Sequence, residues 1–195
     1  MPGPRRPKDT FADKRERRAA VDDPAVVLEA AARFLEARSG SVAEVKRRLG
    51  RAGYRAELID GAILRLTELG MLDDEAFGRA WVESRDRARP RGEIALRREL
   101  SLKGLDRAVV DEVLEERRSA SPDGDGAPNP DRAAADRLLE RNRRALARIA
   151  DPRQRRQRAY ALLARNGFDP ETCREAAAAW LAATGDESAD VSADG

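Results

Sequence analysis

A phrase of the form Leu-x-x-x-Gly occurs three times in this chain, ending at Gly53, Gly104 and Gly167. Glycine readily adopts the left-handed backbone conformation that closes many helices, so each phrase predicts the last turn of a helix. Gly53 and Gly104 lie 51 residues apart, and Gly104 and Gly167 lie 63 apart. The residues five and six places after each glycine also match, as Leu58-Ile59, Val109-Val110 and Thr172-Cys173. Periods of this size are typical of repeat arrays.

Each copy of the repeat has room for three amphipathic helices. Leu58, Ile59, Ile63 and Leu66 recur at helical spacing, and no run of four or more residues alternates strictly between apolar and polar as a strand would. Apolar residues make up 41% of the 195-residue chain and aromatics 4%, so any core is thin and built mostly from Ala and Leu. We therefore expect an all-α fold, a tandem array of three three-helix repeats.

Helix-start signals divide the chain. Asp23-Pro24 predicts an N-cap followed by the first helical residue, and Ser41 with Glu44 predicts a capping box. Asp73 or Asp74 caps the first helix of the second copy, and Leu138, Leu139, Leu146 and Ile149 are predicted to mark one helix in the third. The predicted organisation is a disordered basic arm (1–22), a first repeat (23–72), a second repeat (73–118), a flexible linker (119–130), a third repeat (131–183) and a disordered acidic tail (184–195).

Catalytic and metal chemistry finds little support in the residues. The chain has no histidine and no glycine-rich phosphate loop. The Asp73-Asp74 pair is better explained by helix capping than by paired-carboxylate catalysis. Cys173, the one cysteine, lies on an apolar stripe and is predicted to be a buried, inert thiol. We expect no catalytic residue, no metal site, no cofactor and no enzyme activity.

The sequence shows neither a transmembrane segment nor a signal peptide. No apolar run approaches the roughly 18 residues that a transmembrane helix needs, and the N-terminus lacks the pattern of a signal peptide. The sequence is therefore expected to belong to a cytoplasmic protein without membrane contact.

Basic side chains concentrate on and near the second helix of each repeat, although the net charge is only +2. Three aligned basic helices could attract nucleic-acid phosphate or an acidic groove on a protein. Two plainer explanations remain open. The arginines can form a solvated face balanced by Glu93, Glu99, Glu115 and Glu116, and a GC-rich gene can also enrich arginine.

The second repeat resembles the central motif of the RecX family of bacterial recombination regulators. The stretch is GMLDDEAFGRAWVESRDRARPRGEIALRRELSLKGLD, residues 70–106. The motif residues are Leu72, Asp73, Asp74, Phe77, Val82, Arg85, Gly92, Glu99, Leu100, Lys103 and Gly104. The first and third repeats match less closely but in register, so the resemblance covers about 24–183.

The resemblance implies nine helices in an elongated, curved array that binds the RecA–DNA filament. It implies restraint of RecA's ATP hydrolysis, strand exchange and coprotease activity, and so modulation of recombination and the SOS response. By analogy we expect the protein, as a monomer, to contact RecA and single- or double-stranded DNA. The expected contact residues are Arg85, Arg89, Arg91, Arg97, Arg98 and Lys103, extended by Arg47 and Arg48.

Two other functional classes fit the helices and the charge. One is a helix-turn-helix-like DNA-binding regulator acting without RecA, and the other is a helical scaffold that binds only proteins. Within the second repeat, Leu96 and Leu100 lie on the apolar stripe, so Arg97 and Arg98 are both predicted to point away from the core.

Overall fold

The computed structural model describes residues 10–119 and 129–190, and the side chains of the last helix as far as residue 184. Every regular element in these ranges is an α-helix and none is a strand, which confirms the all-α fold class. The helices are α1 (Phe11–Ala19), α2 (Pro24–Ala37), α3 (Val42–Ala52), α4 (Ala56–Glu68), α5 (Asp74–Ala88), α6 (Glu93–Lys103), α7 (Arg107–Ser119), α8 (Pro130–Arg141), α9 (Arg143–Ala147), α10 (Pro152–Arg165) and α11 (Pro170–Asp190).

Helices α2–α4, α5–α7 and α8–α11 form the three repeats. The glycine of each Leu-x-x-x-Gly phrase has a positive φ, at 104° for Gly53, 88° for Gly104 and 81° for Gly167. These glycines therefore end α3, α6 and α10 in the left-handed conformation that the sequence predicts.

The chain divides into two compact units whose boundary does not follow the repeats. The first unit runs to Phe77 and takes in Lys103–Leu105, and the second takes in Gly78–Leu102 and the chain from Asp106 onward. The first unit's core comprises Val27, Ala31, Val45, Leu49, Ile59, Ala62, Ile63, Leu66 and Leu72. In the second unit, the third repeat's core comprises Ala134, Ala135, Leu139, Leu146, Ala159, Leu163, Phe168, Cys173, Ala176, Ala177 and Trp180.

A carboxylate from the next repeat caps the second helix of the preceding one. In the first unit, Asp74 Oδ1 accepts a 2.9 Å hydrogen bond from the backbone N–H of Val42, the first residue of α3. In the second unit, Asp131 Oδ2 accepts a 2.8 Å bond from Glu93, the first residue of α6. Helix N-termini carry unsatisfied N–H groups and partial positive charge, so an acidic side chain stabilises them.

The residues before Gly104 and Gly167 each make a second bond across these junctions. In each case the backbone carbonyl accepts a hydrogen bond from the residue just before α3 or α6. Ser41 Oγ donates to Lys103 O at 2.6 Å, and Gly92 N donates to Asn166 O at 3.1 Å. The backbones approach closely at the second junction, where a Cβ on Gly92 would lie 2.2 Å from Gly167 O. Gly92 is therefore glycine because no side chain fits there.

Arg117 ties α5, α7 and α8 together in the second unit. It donates to both carboxylate oxygens of Asp86, at 3.0 and 3.1 Å, and to Asp131 Oδ1 at 2.6 Å. The side chains of Arg117 and Asp131 are only 6% and 7% exposed. Burial raises the pKa of the Asp131 carboxyl, although its hydrogen bond from Arg117 acts in the opposite direction. Losing one partner of such a buried pair is costly because the other charge stays buried.

Four local predictions need correction. Residues 11–19 of the expected disordered arm form α1, which starts at a capping box of Thr10 and Asp13. Of the predicted Ser41–Glu44 capping box, the bond from Glu44 N to the Ser41 side chain is present and caps α3. The Glu44 carboxylate pairs instead with Lys103 and Arg38.

The other two corrections lie in the third repeat. Its first helix breaks at Asn142, whose side-chain amide donates to Leu138 O at 2.8 Å and so competes with the helical backbone. Helix α11 extends through Asp190, and so continues from the Ala-rich run at 176–183 into the expected disordered tail. Residues 1–9, 120–128 and 191–195, which hold the rest of the expected arm, most of the linker and the end of the tail, lie outside the described residues.

The repeat junction generates a stability prediction for two glycines. Gly104→Ala should lower the unfolding midpoint, because Gly104 has a positive φ and an added Cβ would meet Ala43 Cβ at 2.4 Å. The left-handed conformation alone costs an alanine about 1–2 kcal/mol.

The matched control is Gly61→Ala, within α4. An added Cβ there meets nothing within 4 Å, so the variant should be more stable by about 0.5–1 kcal/mol. Thermal and denaturant unfolding followed by circular dichroism measures both changes. Equal effects of the two substitutions would contradict the close junction at Gly104.

Candidate functional site

The eight arginines and lysines expected to bind a partner divide between the two units. Arg47 and Arg48 of α3 and Lys103 at the end of α6 belong to the first unit. Arg85 of α5, Arg89 and Arg91 of the following loop, and Arg97 and Arg98 of α6 belong to the second. Their surroundings within each unit show which charges already have partners.

Glu99 is the centre of a polar cluster in the second unit. Its Oε2 accepts from Arg85 Nε at 2.6 Å and from Trp81 Nε1 at 2.9 Å, while its Oε1 lies 3.6 Å from Arg91 Nε. The Arg85 guanidinium also stacks 4.3 Å from the centre of the Trp81 ring. Two of the expected contact residues, Arg85 and Arg91, therefore hold α5, α6 and their connecting loop together.

Arg91 and Arg97 make further contacts inside the second unit. Arg91 Nη1 donates to Asn166 Oδ1, which joins the second repeat to the third. Arg97 donates to Asp111 of α7 and, at 3.2 Å, to Glu93 of its own helix. The hydrogen bond to Asp111 raises the pKa of Arg97. Arg97 is half-buried in this pairing, so it is less available to an external partner than a fully exposed arginine.

Lys103 has a structural contact in the first unit. Its ammonium lies 2.9 Å from Glu44 Oε1, and the two side chains are 22% and 13% exposed. Burial opposes ionisation of Glu44, but the hydrogen bond and charge of Lys103, with the charge of Arg38, hold the pKa of that carboxyl below its usual range. Lys103 therefore fastens the end of α6 to the start of α3.

The remaining four expected residues have exposed side chains. Arg47 makes one long hydrogen bond, 3.4 Å to Lys103 O, and the Arg48 guanidinium lies 5.2 Å from the centre of the Phe34 ring. Arg89 and Arg98 have no side-chain partner among residues 10–119 and 129–184. These four cations can meet an external anion without breaking an internal ion pair.

The third repeat contains an open cleft, and none of the residues that line it was an expected contact residue. It has a volume of about 600 Å³ and is lined by Glu140, Arg141, Arg143, Arg144 and Ala147. Arg141 donates to Ala88 O at 2.5 Å and to Arg87 O at 2.6 Å, so its charge lies at the carboxyl end of α5. The run RNRR at 141–144 is the sequence signal for this cleft.

The residues that the structure describes form no cluster that could hold a metal. Within the described part of the chain, no group of three or more Cys, Asp or Glu side chains converges, and no helix has the length and apolar character needed to cross a membrane. Cys173 is fully buried, as the sequence predicts, and burial raises the pKa of its thiol to about 11. It therefore stays protonated at neutral pH, unlike a nucleophilic thiolate.

Comparison with known proteins extends these observations. The family model described as "RecX, second three-helix domain" matches residues 73–114. The chain is 31% identical over 156 residues to the regulatory protein RecX of Chlorobium phaeobacteroides, covering 80% of this chain and 94% of that protein. It is 34% identical over 148 residues to RecX of Chlorobaculum tepidum, covering 76% and 84% respectively.

The chain belongs to the RecX family. A crystal structure of RecX from Lactobacillus salivarius has the same fold, with a TM-score of 0.65 and 17% identity over 80% of this chain and 94% of that one. The resemblance inferred from the Leu-Asp-Asp and Glu-Leu-x-x-Lys-Gly segments is thereby confirmed.

Several residues of the RecX motif have architectural contacts in this chain. Asp73 Oδ1 accepts from Ala76 N at 2.9 Å and caps α5, as predicted, whereas Asp74 reaches across to α3. Glu99 and Lys103 join helices, and Gly92 permits close backbone contact. In this RecX-family protein, the motif residues Asp74, Gly92, Lys103 and Gly104 lie at junctions between repeats, whereas Asp73, Arg85 and Glu99 stabilise the second repeat itself.

Adjacent arginines of α6 should respond differently to charge reversal. Arg98→Glu should stay within about 0.5 kcal/mol of the parent protein, because the side chain is exposed and unpaired among the described residues. Arg97→Glu should lower the unfolding midpoint, because it places a carboxylate beside Glu93 and Asp111. Thermal unfolding of the two single variants is the measurement. Equal midpoints would show that the Arg97 pairs contribute nothing.

The Glu44–Lys103 pair predicts an acid-dependent loss of stability. Because the folded-state pKa of Glu44 is lowered, its contribution is fully present above the ordinary glutamate pKa of about 4.3 and is lost as the pH falls through the folded value. Glu44→Gln should cost about 1–3 kcal/mol at pH 7, and the difference from the parent protein should shrink below about pH 4.

Denaturant unfolding between pH 3 and pH 7 tests the Glu44 prediction. The control is Glu68→Gln, which removes an exposed partner of Arg65 on α4. It should change stability by less than about 1 kcal/mol at any pH. A Glu44→Gln penalty that stays constant down to pH 3 would contradict the lowered pKa.

Proposed function

We propose that this chain is a regulator without enzymatic activity that binds the RecA–DNA filament. It inhibits or modulates RecA's ATP hydrolysis, strand exchange and coprotease activity, and so acts on recombination, DNA repair and the SOS response. The observation that carries the proposal is the match over 94% of the length of a protein called regulatory protein RecX. An alignment of 156 residues is too long for two repeats, so it extends into all three.

The exposed cations without an internal ion pair are the main proposed contact residues. Arg47 and Arg48 on α3, together with Arg89 and Arg98 in the second repeat, are available to filament phosphates or carboxylates. Arg85, Arg91, Arg97 and Lys103 keep a secondary place, because an external anion would have to share them with Glu99, Asp111, Glu93 or Glu44. The protein is proposed to act as a monomer, in contact with RecA and with DNA within or beside the filament.

A DNA-binding regulator that acts without RecA is the alternative, since exposed arginines on helices also suit a DNA backbone. The two functions differ in what they require. A regulator of the filament alters RecA only when RecA is present, whereas a DNA-binding regulator protects a defined stretch of DNA by itself. A scaffold that binds only proteins would have no salt-dependent affinity for DNA.

We expect the protein to suppress ATP hydrolysis by RecA on single-stranded DNA. Arg47→Glu with Arg48→Glu should weaken that suppression at least fivefold and flatten the salt dependence of binding, since each lost phosphate contact lowers the slope by about 0.7–0.9. The measurement is the rate of phosphate release at increasing protein concentration and at several salt concentrations.

The control carries the same change of net charge elsewhere. Arg33→Glu with Arg174→Glu reverses two exposed arginines, on α2 and α11, that are not among the expected contact residues. This variant should inhibit within about twofold of the parent protein. A parent protein that leaves RecA unaffected but protects a DNA site of defined length would support the alternative function.

A further inference from the structure

An exposed stripe along α6 combines apolar and cationic side chains. Ile94, Arg98 and Leu102 are spaced at i, i+4 and i+8, which places them on one face of the helix over a length of about 12 Å. Ile94 is 59% exposed and Leu102 is 67% exposed, and Arg98 between them is exposed as well. All three belong to the second unit.

Folding of the second repeat does not account for this stripe. The buried face of α6 is supplied by Leu96 and Leu100, both fully inaccessible. The other cations of the helix are paired, Arg97 with Glu93 and Asp111 and Lys103 with Glu44. Single exposed apolar residues are common on protein surfaces, but here two large ones flank the one α6 cation that has no partner within the described ranges.

The other two repeats lack this arrangement at the matching positions. Counted back from the closing glycine, the stripe lies ten, six and two residues before Gly104. The same positions hold Ala43, Arg47 and Arg51 in α3, and Gln157, Ala161 and Arg165 in α10. The repeat architecture therefore tolerates small or polar side chains there. The large apolar pair is particular to the second repeat, so a requirement of the repeat itself cannot explain it.

We propose that the stripe Ile94–Arg98–Leu102 is a protein-docking surface, and that its partner presents a carboxylate between apolar side chains. The unpaired guanidinium supplies charge complementarity to a carboxylate, which it can bind through two parallel hydrogen bonds. Ile94 and Leu102 exclude water from that ion pair when the partner covers them. A DNA backbone would engage Arg98 but would leave both apolar side chains in water.

The inference rests on the proposed function for the identity of the partner, which is then a RecA protomer in the filament. The inference assigns different partners to different repeats. The α6 stripe binds protein, whereas the exposed polar side chains of α3, such as Arg47 and Arg51, suit phosphate. Removal of the apolar pair should therefore weaken filament binding without altering affinity for DNA alone.

The test compares three variants of the full chain. Ile94→Ser with Leu102→Ser removes the apolar pair and keeps every charge, and Arg98→Glu reverses the central charge. Leu64→Ser with Leu69→Ser is the matched control, because these side chains, which flank the end of α4, are 63% and 52% exposed. Affinity is measured for RecA filaments on single-stranded DNA and for the same DNA without RecA, alongside thermal unfolding and sedimentation.

We expect the Ile94/Leu102 variant and Arg98→Glu each to bind the filament at least tenfold more weakly than the parent protein. The Ile94/Leu102 variant should keep its affinity for DNA alone, and the Leu64/Leu69 control should stay within twofold for the filament. Unfolding midpoints should be unchanged, since the replaced side chains are exposed. If the Ile94/Leu102 variant unfolds at a lower temperature, Arg98→Glu decides the outcome, because it leaves the apolar pair in place. A loss of filament affinity larger than its loss of affinity for DNA alone supports a protein partner, and equal losses contradict it.

Other results would overturn the proposal in distinguishable ways. Parent-level filament binding by the Ile94/Leu102 variant would show that the stripe is not a docking surface, while the proposed function would stand. An equal loss of affinity for DNA alone would make nucleic acid the occupant. Self-association of the parent protein that the substitutions abolish would make a second copy the occupant. A parent protein that does not bind the filament would remove both this inference and the proposed function.

Discussion

The second helix of the first and second repeats begins at a backbone N–H that only the following repeat can satisfy. Asp74 supplies the acceptor to Val42, and Asp131 supplies it to Glu93. An unpaired buried N–H costs about 1–3 kcal/mol, so each of these helices is fully stable only when its neighbour is in place. The two caps therefore help to fix α3 in the first unit and α6 in the second.

The equivalent positions of the third and first repeats have local or α1 partners instead. The third repeat's second helix, α10, starts at Pro152, which has no N–H to satisfy, and Asp151 caps it by accepting from Arg153 at 2.9 Å. At the other end, Gly53 is covered by Arg15 of α1: a Cβ on Gly53 would lie 2.8 Å from Arg15 O. Helix α1 thus takes the place that a preceding repeat would fill.

Charge in this chain serves two purposes that composition cannot separate. Within the second unit, Arg117, Arg85 and Arg97 are held by carboxylates and join helices. Arg98 is not, although it neighbours Arg97 in the sequence. Successive residues on a helix point about 100° apart, so one faces α7 while the next faces solvent. Fewer of the expected contact cations are therefore available to an external partner than the sequence suggests.

The sequence by itself determined the family, the three-repeat pattern, most of the helices and their closing glycines. It missed α1, the break at Asn142 and the length of α11. The helices and glycines that it placed depend on contacts within a few residues. Apolar spacing, N-cap oxygens and the left-handed glycine all act inside one or two turns, which is why α3 begins and ends where its sequence predicts. The sequence identified the eight candidate contact residues only as a group. It could not show which of them are exposed and which are paired, because both depend on residues that are distant along the chain.

Only the tertiary structure decided which charges are internal. The deciding partners are distant along the chain: Val42 and Asp74 are 32 residues apart, Glu93 and Asp131 are 38 apart, and Glu44 and Lys103 are 59 apart. Helix α1 belongs to the same class, since its basic, weakly apolar sequence gave no sign of the Gly53 surface on which Arg15 lies. A local pattern can place a carboxylate at a helix start, but which helix it caps depends on which backbone folding brings within about 3 Å.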